Sequence, residues 1–343
     1  MKLDKIFTFE NIYNAHKKSR NSKQHKGEVI RFEINLSVNI SNLVKAIQSK
    51  KYKLGNYKSF MIYDPKERLI EALPYRDRVI LRCFCDNSLK PRIEKRLIYD
   101  NVACRIGKGT KVGMDRLIKF LKHEYLKSGS NNIYYLKCDI KKYFPSINHD
   151  ILLQKLKMTG FSSDEMWVIE KLVKSQPNNL AVGLALGNQS SQWFALFYLN
   201  SVDRLIKEKL QIKSYVRYMD DMLLLHESKE ALQKCKKEIE RLCNSELALS
   251  LNQKTQIGKV ANGIDFLGFK YTLTSNGKII KKLRGSAKVR LKRHLKNLAK
   301  LEKKELVDAE YIYSRKNAFY SHIKDSDESI NLKKKVNPKV KTI

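Results

Sequence analysis

The chain has 343 residues, 42% of them hydrophobic and including 17 Tyr and 13 Phe, enough for a sizeable core and incompatible with wholesale disorder. Lys and Arg total 69 against 35 Asp and Glu, a net charge of +34. Such an excess repels itself unless a polyanion neutralises it, which puts nucleic acid ahead of an anionic membrane as partner. Solubility alone needs only a fraction of it.

Met1–Glu10 interrupts every apolar run with a charge, so no secretory signal is expected. Six scattered cysteines, with no Cys-x-x-Cys pair, argue for reduced thiols in a cytoplasmic protein over zinc or a disulfide framework. In chain order, residues 1–58 mix apolar and basic side chains. Between Ser59 and Leu73, apolar runs flank Asp64-Pro65-Lys66-Glu67-Arg68, which predicts a hairpin. Helical spacing follows over 76–98, then a Gly107–Thr110 loop and a helix over 111–127. A strand is expected over 133–140 and a helix from about Asn148, capped by Asn148 or His149. The run Ser175–Val202 carries no charge, but its polar block Gly187–Gln192 is too costly for a bilayer centre, so it must pack inside protein or against a ligand. A helix near 190–209, short strands at 215–218 and 222–225, a helix over 228–246 and a strand over 264–273 complete a strand–helix–strand–strand–helix–strand order, that of a split βαβ sheet. From Lys278 to Lys304, 12 basic residues face a single acid, Glu302, with Leu291, Leu295 and Leu298 forming a narrow apolar stripe. This block reads as a helix whose basic face tracks phosphates, followed by a frayed tail after Asp325.

Asp220 and Asp221 lie between two apolar strands, and Asp139, 81 residues before Asp220, ends another. Adjacent carboxylates at the mouth of a dry core repel one another and resist desolvation unless a cation joins them. Hard oxygen ligands of this kind suit magnesium, and two such ions would clamp the attacking and leaving oxygens of a phosphoryl transfer. A bare Asp-Asp pair also reads as a hairpin turn, and Asp139 as a helix cap; the surrounding motifs decide between these readings.

Tyr218-Met219-Asp220-Asp221 between hydrophobic strands is similar to the signature tetrapeptide of reverse transcriptases. Leu136–Ile147 resembles that family's first aspartate motif, Gly187–Leu199 its substrate-pocket motif, Leu251–Thr255 its lysine motif and Phe266-Leu-Gly-Phe269 its primer-grip hairpin. The resemblance spans roughly residues 55–275. It implies an α+β right-hand polymerase: an N-terminal extension and fingers over 1–133, a split βαβ palm carrying an antiparallel sheet over 134–275 (with part of the fingers near 155–182), and a basic helical thumb with a tail over 276–343. Leu186-Gly187-Asn-Gln-Ser-Ser191-Gln192 is most like the diversity-generating retroelement type, whereas group II intron and retron enzymes usually carry Ser-Pro there.

The resemblance implies that Asp139 and Asp220 hold two Mg2+ ions, with Mn2+ as a substitute, Asp221 nearby and the Ile140 carbonyl as a further ligand. It makes Lys254 a general acid for the leaving pyrophosphate and Phe144 the gate against ribose. Arg105 and Lys108 would grip the triphosphate, while Gly187 and Gln192 would line the base-pair pocket. Tyr218, Gly268, Arg284, Lys288 and Lys292 would meet primer and template. Arg76 and Arg78 match a motif too, but salt bridges to Asp77 or Glu71 compete. His149 reads as a helix cap, and Trp193, Phe194, Phe197 and Tyr198 as core.

The implied partners are template RNA, primer or cDNA, dNTPs and a small basic accessory variability protein, a pentamer, in a bacterial or phage-encoded system of mutagenic retrohoming; no membrane is involved. A group II intron-like, retron or phage-defence reverse transcriptase stays open as an alternative. So does an RNA-binding scaffold on a polymerase shell, though a retired polymerase has no chemical need for all three acids. A two-metal nuclease shares the acids but does not require the gate or the ordered pocket.

Overall fold

The computed structural model describes residues 1–64, 66–175, 181–324 and 326–328. Four helices open the chain: Leu3–Ile6, Phe9–Arg20, Gly27–Ile34 and Leu36–Gln48. Thr8 starts the second by accepting a 3.1 Å hydrogen bond from the Asn11 amide, satisfying one of the free N–H groups of the first turn. The hairpin is present, with β1 (Lys58–Ile62) antiparallel to β2 (Arg68–Ala72) in the register Phe60↔Ile70; residue 65 of its turn lies outside the described residues. The helix expected over 76–98 is interrupted. It runs as α-helix over Tyr75–Phe84, as a π turn over Cys85–Leu89 and as α-helix again over Lys90–Glu94. Pro91 has no N–H to continue an α ladder, and the wider turn just before it absorbs the lost bond.

The central sheet contains β3 (Tyr134–Cys138), β4 (Tyr215–Tyr218), β5 (Asp221–His226) and β6 (Gln256–Lys259) in the order β4-β5-β3-β6, all neighbours antiparallel. This is the split βαβ order, but its closing strand is β6 and not 264–273. Gln256-Ile-Gly-Lys259 is a polar edge strand with no buried residue, so it gave no apolar signal. Residues 264–273 form a separate hairpin instead, β7 (Ile264–Phe266) and β8 (Phe269–Leu273), turned at Leu267-Gly268, with Gly268 at φ +90°. A third strand, β9 (Ile279–Leu283), pairs with β8. The helix expected from Lys278 therefore begins only at Gly285 and runs to Lys303, and this second sheet crosses the boundary placed at 275/276.

Alternate residues of the central sheet feed two cores. Leu136, Cys138, Tyr215, Met222 and Leu224 face one core, shared with the N-terminal helices and helix Gln189–Tyr198. Tyr135, Val216, Leu223 and Leu225 face the other, shared with helix Thr110–Ser128 and β7–β9. Burial on both faces explains the unbroken apolar run Met222–Leu225. Helix Gln189–Tyr198 is buried from Ser190 to Tyr198 apart from Gln192, which accounts for the charge-free segment; residues 176–180 of that segment lie outside the described residues, as does most of the tail after Asp325. No helix among the described residues is long and apolar enough to cross a membrane.

Candidate active site

The ladder pairing of β3 with β5 matches Cys138 to Met222, so Asp139 emerges beside Asp221 at one end of the sheet. Burial, then repulsion from the neighbouring Asp139 and Asp221 carboxylates, raises the Asp220 carboxyl to about 6. Burial likewise raises Asp221, opposed by the Lys137 ammonium 3.3 Å away. Asp139 accepts a 3.0 Å hydrogen bond from the Asn252 amide, while the Asn252 backbone N–H donates to the Asp139 carbonyl at 2.7 Å. Ile140 follows, buried, in an isolated bridge to Leu251. The segment carrying Lys254 is thereby laid along the end of β3, with Lys254 itself exposed. Sequence reasoning missed Asn252 and Lys137. The signals were available: an amide inside the lysine motif, and a lone cation in an apolar strand.

These donors fit a divalent cation. They are hard oxygens, Asp221 Oδ1 is buried without a hydrogen-bond partner, and one ammonium does not neutralise three acids. Among the described residues, no three acidic, histidine or cysteine side chains form a ready-made metal cage. That is compatible with magnesium, which keeps waters and shares substrate phosphates instead of filling an all-protein shell.

Around this corner, Phe144 is half-buried beside Tyr143, rings edge to face at 5.8 Å, and its carbonyl accepts the Leu184 N–H at 3.0 Å. Lys142 enters that turn at φ +45°. Gln192 is the one exposed residue of its helix from Ser190 on, and its Oε1 accepts from the Cys104 thiol at 2.7 Å. Tyr218 is half-buried nearby, its hydroxyl raised by burial and by Cys104.

Other expected site residues turn elsewhere. Arg105 is engaged locally: its guanidinium is 11% exposed, donates to the Ile98 and Asn101 carbonyls at 2.8 and 2.9 Å, and pairs with Glu94 at 3.4 Å. Lys108 donates to the Tyr99 carbonyl and lies over the Tyr99 ring. At Gly187 the backbone packs closely on the β1–β2 hairpin: a Cβ there would sit 2.0 Å from the Glu71 carbonyl oxygen. Lys288 is paired with Glu328 at 2.7 Å, and Arg284 with Asp265 at 3.2 Å, whereas Lys292 is exposed. Asp265 also accepts from Lys137 through its carbonyl at 2.6 Å, joining the second sheet to the acids. Arg76 pairs with Asp77 and Arg78 with Glu28. Asn148 is the cap, accepting from the Ile151 amide at 3.1 Å, while His149 is buried with Nε2 on the Gly183 carbonyl at 2.6 Å. Trp193, Phe194, Phe197 and Tyr198 are core.

Solved structures share this fold at low identity. Telomerase from Candida albicans, in complex with a fragment of telomeric RNA, aligns with TM-score 0.51 at 14% identity over 69% of this chain and 46% of that one. Apo telomerase from Candida tropicalis gives 0.50 at 14% over 67% and 49%, and its form truncated of the C-terminal domain 0.51 at 15% over 69% and 58%. The chain thus spans about half the length of these telomerases. No curated protein matches. The model of the reverse transcriptase (RNA-dependent DNA polymerase) family matches residues 63–271, a span that holds the central sheet, all three acids, β7 and the start of β8. On that match, the chain belongs to the reverse transcriptase family.

Proposed function

We propose that this chain copies RNA into DNA as a right-hand polymerase. Its fingers would come from the N-terminal helices and the β1–β2 hairpin, its palm from β3–β6 and its thumb from helix Gly285–Lys303. The observation that carries this reading is the apposition of Asp139 with Asp220–Asp221 across the β3–β5 ladder. Asp139 and Asp220, with Asp221 and the Ile140 carbonyl beside them, would hold two magnesium ions; when bound, these neutralise charge at the reacting phosphates and act as Lewis acids. The residues of the chain do the rest. Asn252 and Lys137 fix two of the acids, Phe144 sits at the position that excludes a ribose 2′-hydroxyl, and the exposed Lys254 supplies a proton to the leaving pyrophosphate. The +34 charge favours a template–primer duplex.

Within that activity the retroelement type, error-prone copying of a template RNA for targeted diversification, is supported by the Gly187–Gln192 signature and by Gln192 being the one exposed residue of its helix from Ser190 on. An amide can donate and accept where a proline is inert. A small basic accessory protein belongs to the same reading, and co-purification with it is the corresponding test. The central experiment is primer extension by oligo-dT on poly-rA, with wild type and Asp220→Ala. Magnesium-dependent dT addition that the variant lacks is the expected result. Extension surviving in Asp220→Ala, or absent from the folded wild type, overturns the proposal.

A further inference from the structure

We propose that Arg217 is a positioning residue that aims Asp220 by holding the carbonyl of Met219, with Asp203 as its buried counter-charge. This rests on the reading of Asp220 as catalytic.

Met219 and Asp220 form a two-residue link between β4 and β5, closed by the pair Tyr218↔Asp221. Met219 has φ +56°, at the first position of the link, where such hairpins favour glycine. A methionine stays in the left-handed region only if its surroundings over-determine it. The Met219 side chain is half-buried against the larger core, and the polar part of its surroundings is one guanidinium. Arg217 is fully buried, and its Nη1 donates to the Met219 carbonyl at 2.8 Å. The rest of the fork is fixed from the opposite side. Nε and Nη2 donate to the two Asp203 carboxylate oxygens at 2.7 and 2.6 Å, and Nη2 also donates to the Leu196 carbonyl at 3.0 Å. The Tyr215 hydroxyl donates to Asp203 at 2.7 Å.

A buried ion pair is weak evidence for stability, because an apolar pair of similar volume often serves as well. What an apolar pair cannot do is direct a planar fork at one carbonyl. Leu196 lies one turn beyond Gln192 on the same helix, so a single guanidinium fixes the acid turn relative to the helix that carries Gln192.

The test uses the full chain with four variants: Arg217→Lys, Tyr215→Phe, Asp220→Asn and Arg217→Lys combined with Met219→Gly. Turnover on poly-rA/oligo-dT gives kcat and the KM for dTTP, thermal melts report folding, and electron paramagnetic resonance of added Mn2+ reports cation affinity without nucleic acid. Arg217→Lys is expected to lower kcat at least tenfold with KM within threefold, and to weaken Mn2+ binding severalfold. Tyr215→Phe, which removes a bond to Asp203 but none to Met219, is expected to melt earlier with kcat within twofold. Glycine adopts the left-handed turn without support, so Met219→Gly in the Arg217→Lys background is expected to recover at least threefold of kcat, judged against Met219→Gly alone.

Unchanged kcat in Arg217→Lys, or no recovery by glycine, overturns the proposal. Activity surviving in Asp220→Asn overturns the catalytic reading beneath it. If Arg217→Lys does not fold, the apolar pair Arg217→Met with Asp203→Leu takes its place, with the same kcat loss expected; failure of both to fold makes Arg217 structural and ends the proposal.

Discussion

Replacing Gly187 by alanine tests how the hairpin is seated on the pocket segment. A Cβ at 187 would lie 2.0 Å from the Glu71 carbonyl oxygen, 2.8 Å from its carbon and 3.2 Å from the Ala72 Cα. Ordinary carbon–oxygen contact begins near ~3.3 Å, so β2 and residue 187 must part by more than about 1 Å. Every clashing atom is backbone, so no rotamer change relieves it. Overpacking costs about 1–3 kcal/mol where side chains can shift, and a clash confined to main chain belongs at or above the upper end. At about 2–4 °C per kcal/mol, a loss of about 3 kcal/mol is expected to lower the melting temperature by roughly 6–12 °C. The displacement also strains the neighbouring bond from the Asn188 amide to the Tyr57 hydroxyl, 2.6 Å long. Gly285→Ala is the control: its Cβ meets nothing within 4 Å, at the first residue of a helix, and no loss is expected. Differential scanning calorimetry of both variants reads the difference. A Gly187→Ala protein that melts with wild type would show that the hairpin backbone does not rest on this glycine.

Four further outcomes follow from the site and its supports. Arg105→Ala is expected to destabilise by about 2 kcal/mol, because two part-buried carbonyls lose a charged donor, while the KM for dNTP barely moves; urea unfolding and steady-state kinetics separate these. Phe144→Ala is expected to admit ribonucleotides, measured as rUTP against dTTP incorporation, and unchanged sugar selectivity removes the gate assignment. Gln192→Pro is expected to lower misincorporation opposite template adenine, read by sequencing the products; equal error rates count against its role. Asp86 accepts from Lys18 at 2.9 Å and Arg82 at 3.0 Å; its burial works against ionisation, but these two cations outweigh it and hold the carboxyl below its usual value. Its contribution is therefore complete above the unfolded value near ~3.9 and is lost as pH falls through the lower folded one. Asp86→Asn is expected to cost at most about 1 kcal/mol at pH 7, since its partners are partly exposed, with the gap to wild type closing below about pH 4 in acid titrations of stability.

The elements that carry the acids were legible because they are buried on both faces, which writes an unbroken apolar run such as Met222–Leu225 into the chain. Strand β6 was not, because an edge strand that buries nothing has no pattern to show. Strand β9 was hidden by its lysines: Lys281 lies with its ammonium 4.4 Å from the centre of the Phe269 ring, a contact between strands that no local period records. The same division runs through the site. Which residue types gather near the acids is local information, and Asp139, Asp220 and Asp221 were identified from it together with the ordered motifs around them. Where a side chain points depends on its neighbours from distant parts of the chain. Arg105 stands in an apt motif, yet its fork is engaged by the carbonyls of Ile98 and Asn101, which its local sequence does not announce. Arg217 has the opposite history, since nothing in Val216-Arg217-Tyr218 announces a buried cation. Only the arrival of Asp203 and the Leu196 carbonyl from other helices makes an arginine tolerable inside that strand. A charge retained in a dry core at such cost is best explained by what its fork ties together, the Met219 carbonyl at the acid turn and the Leu196 carbonyl on the neighbouring helix.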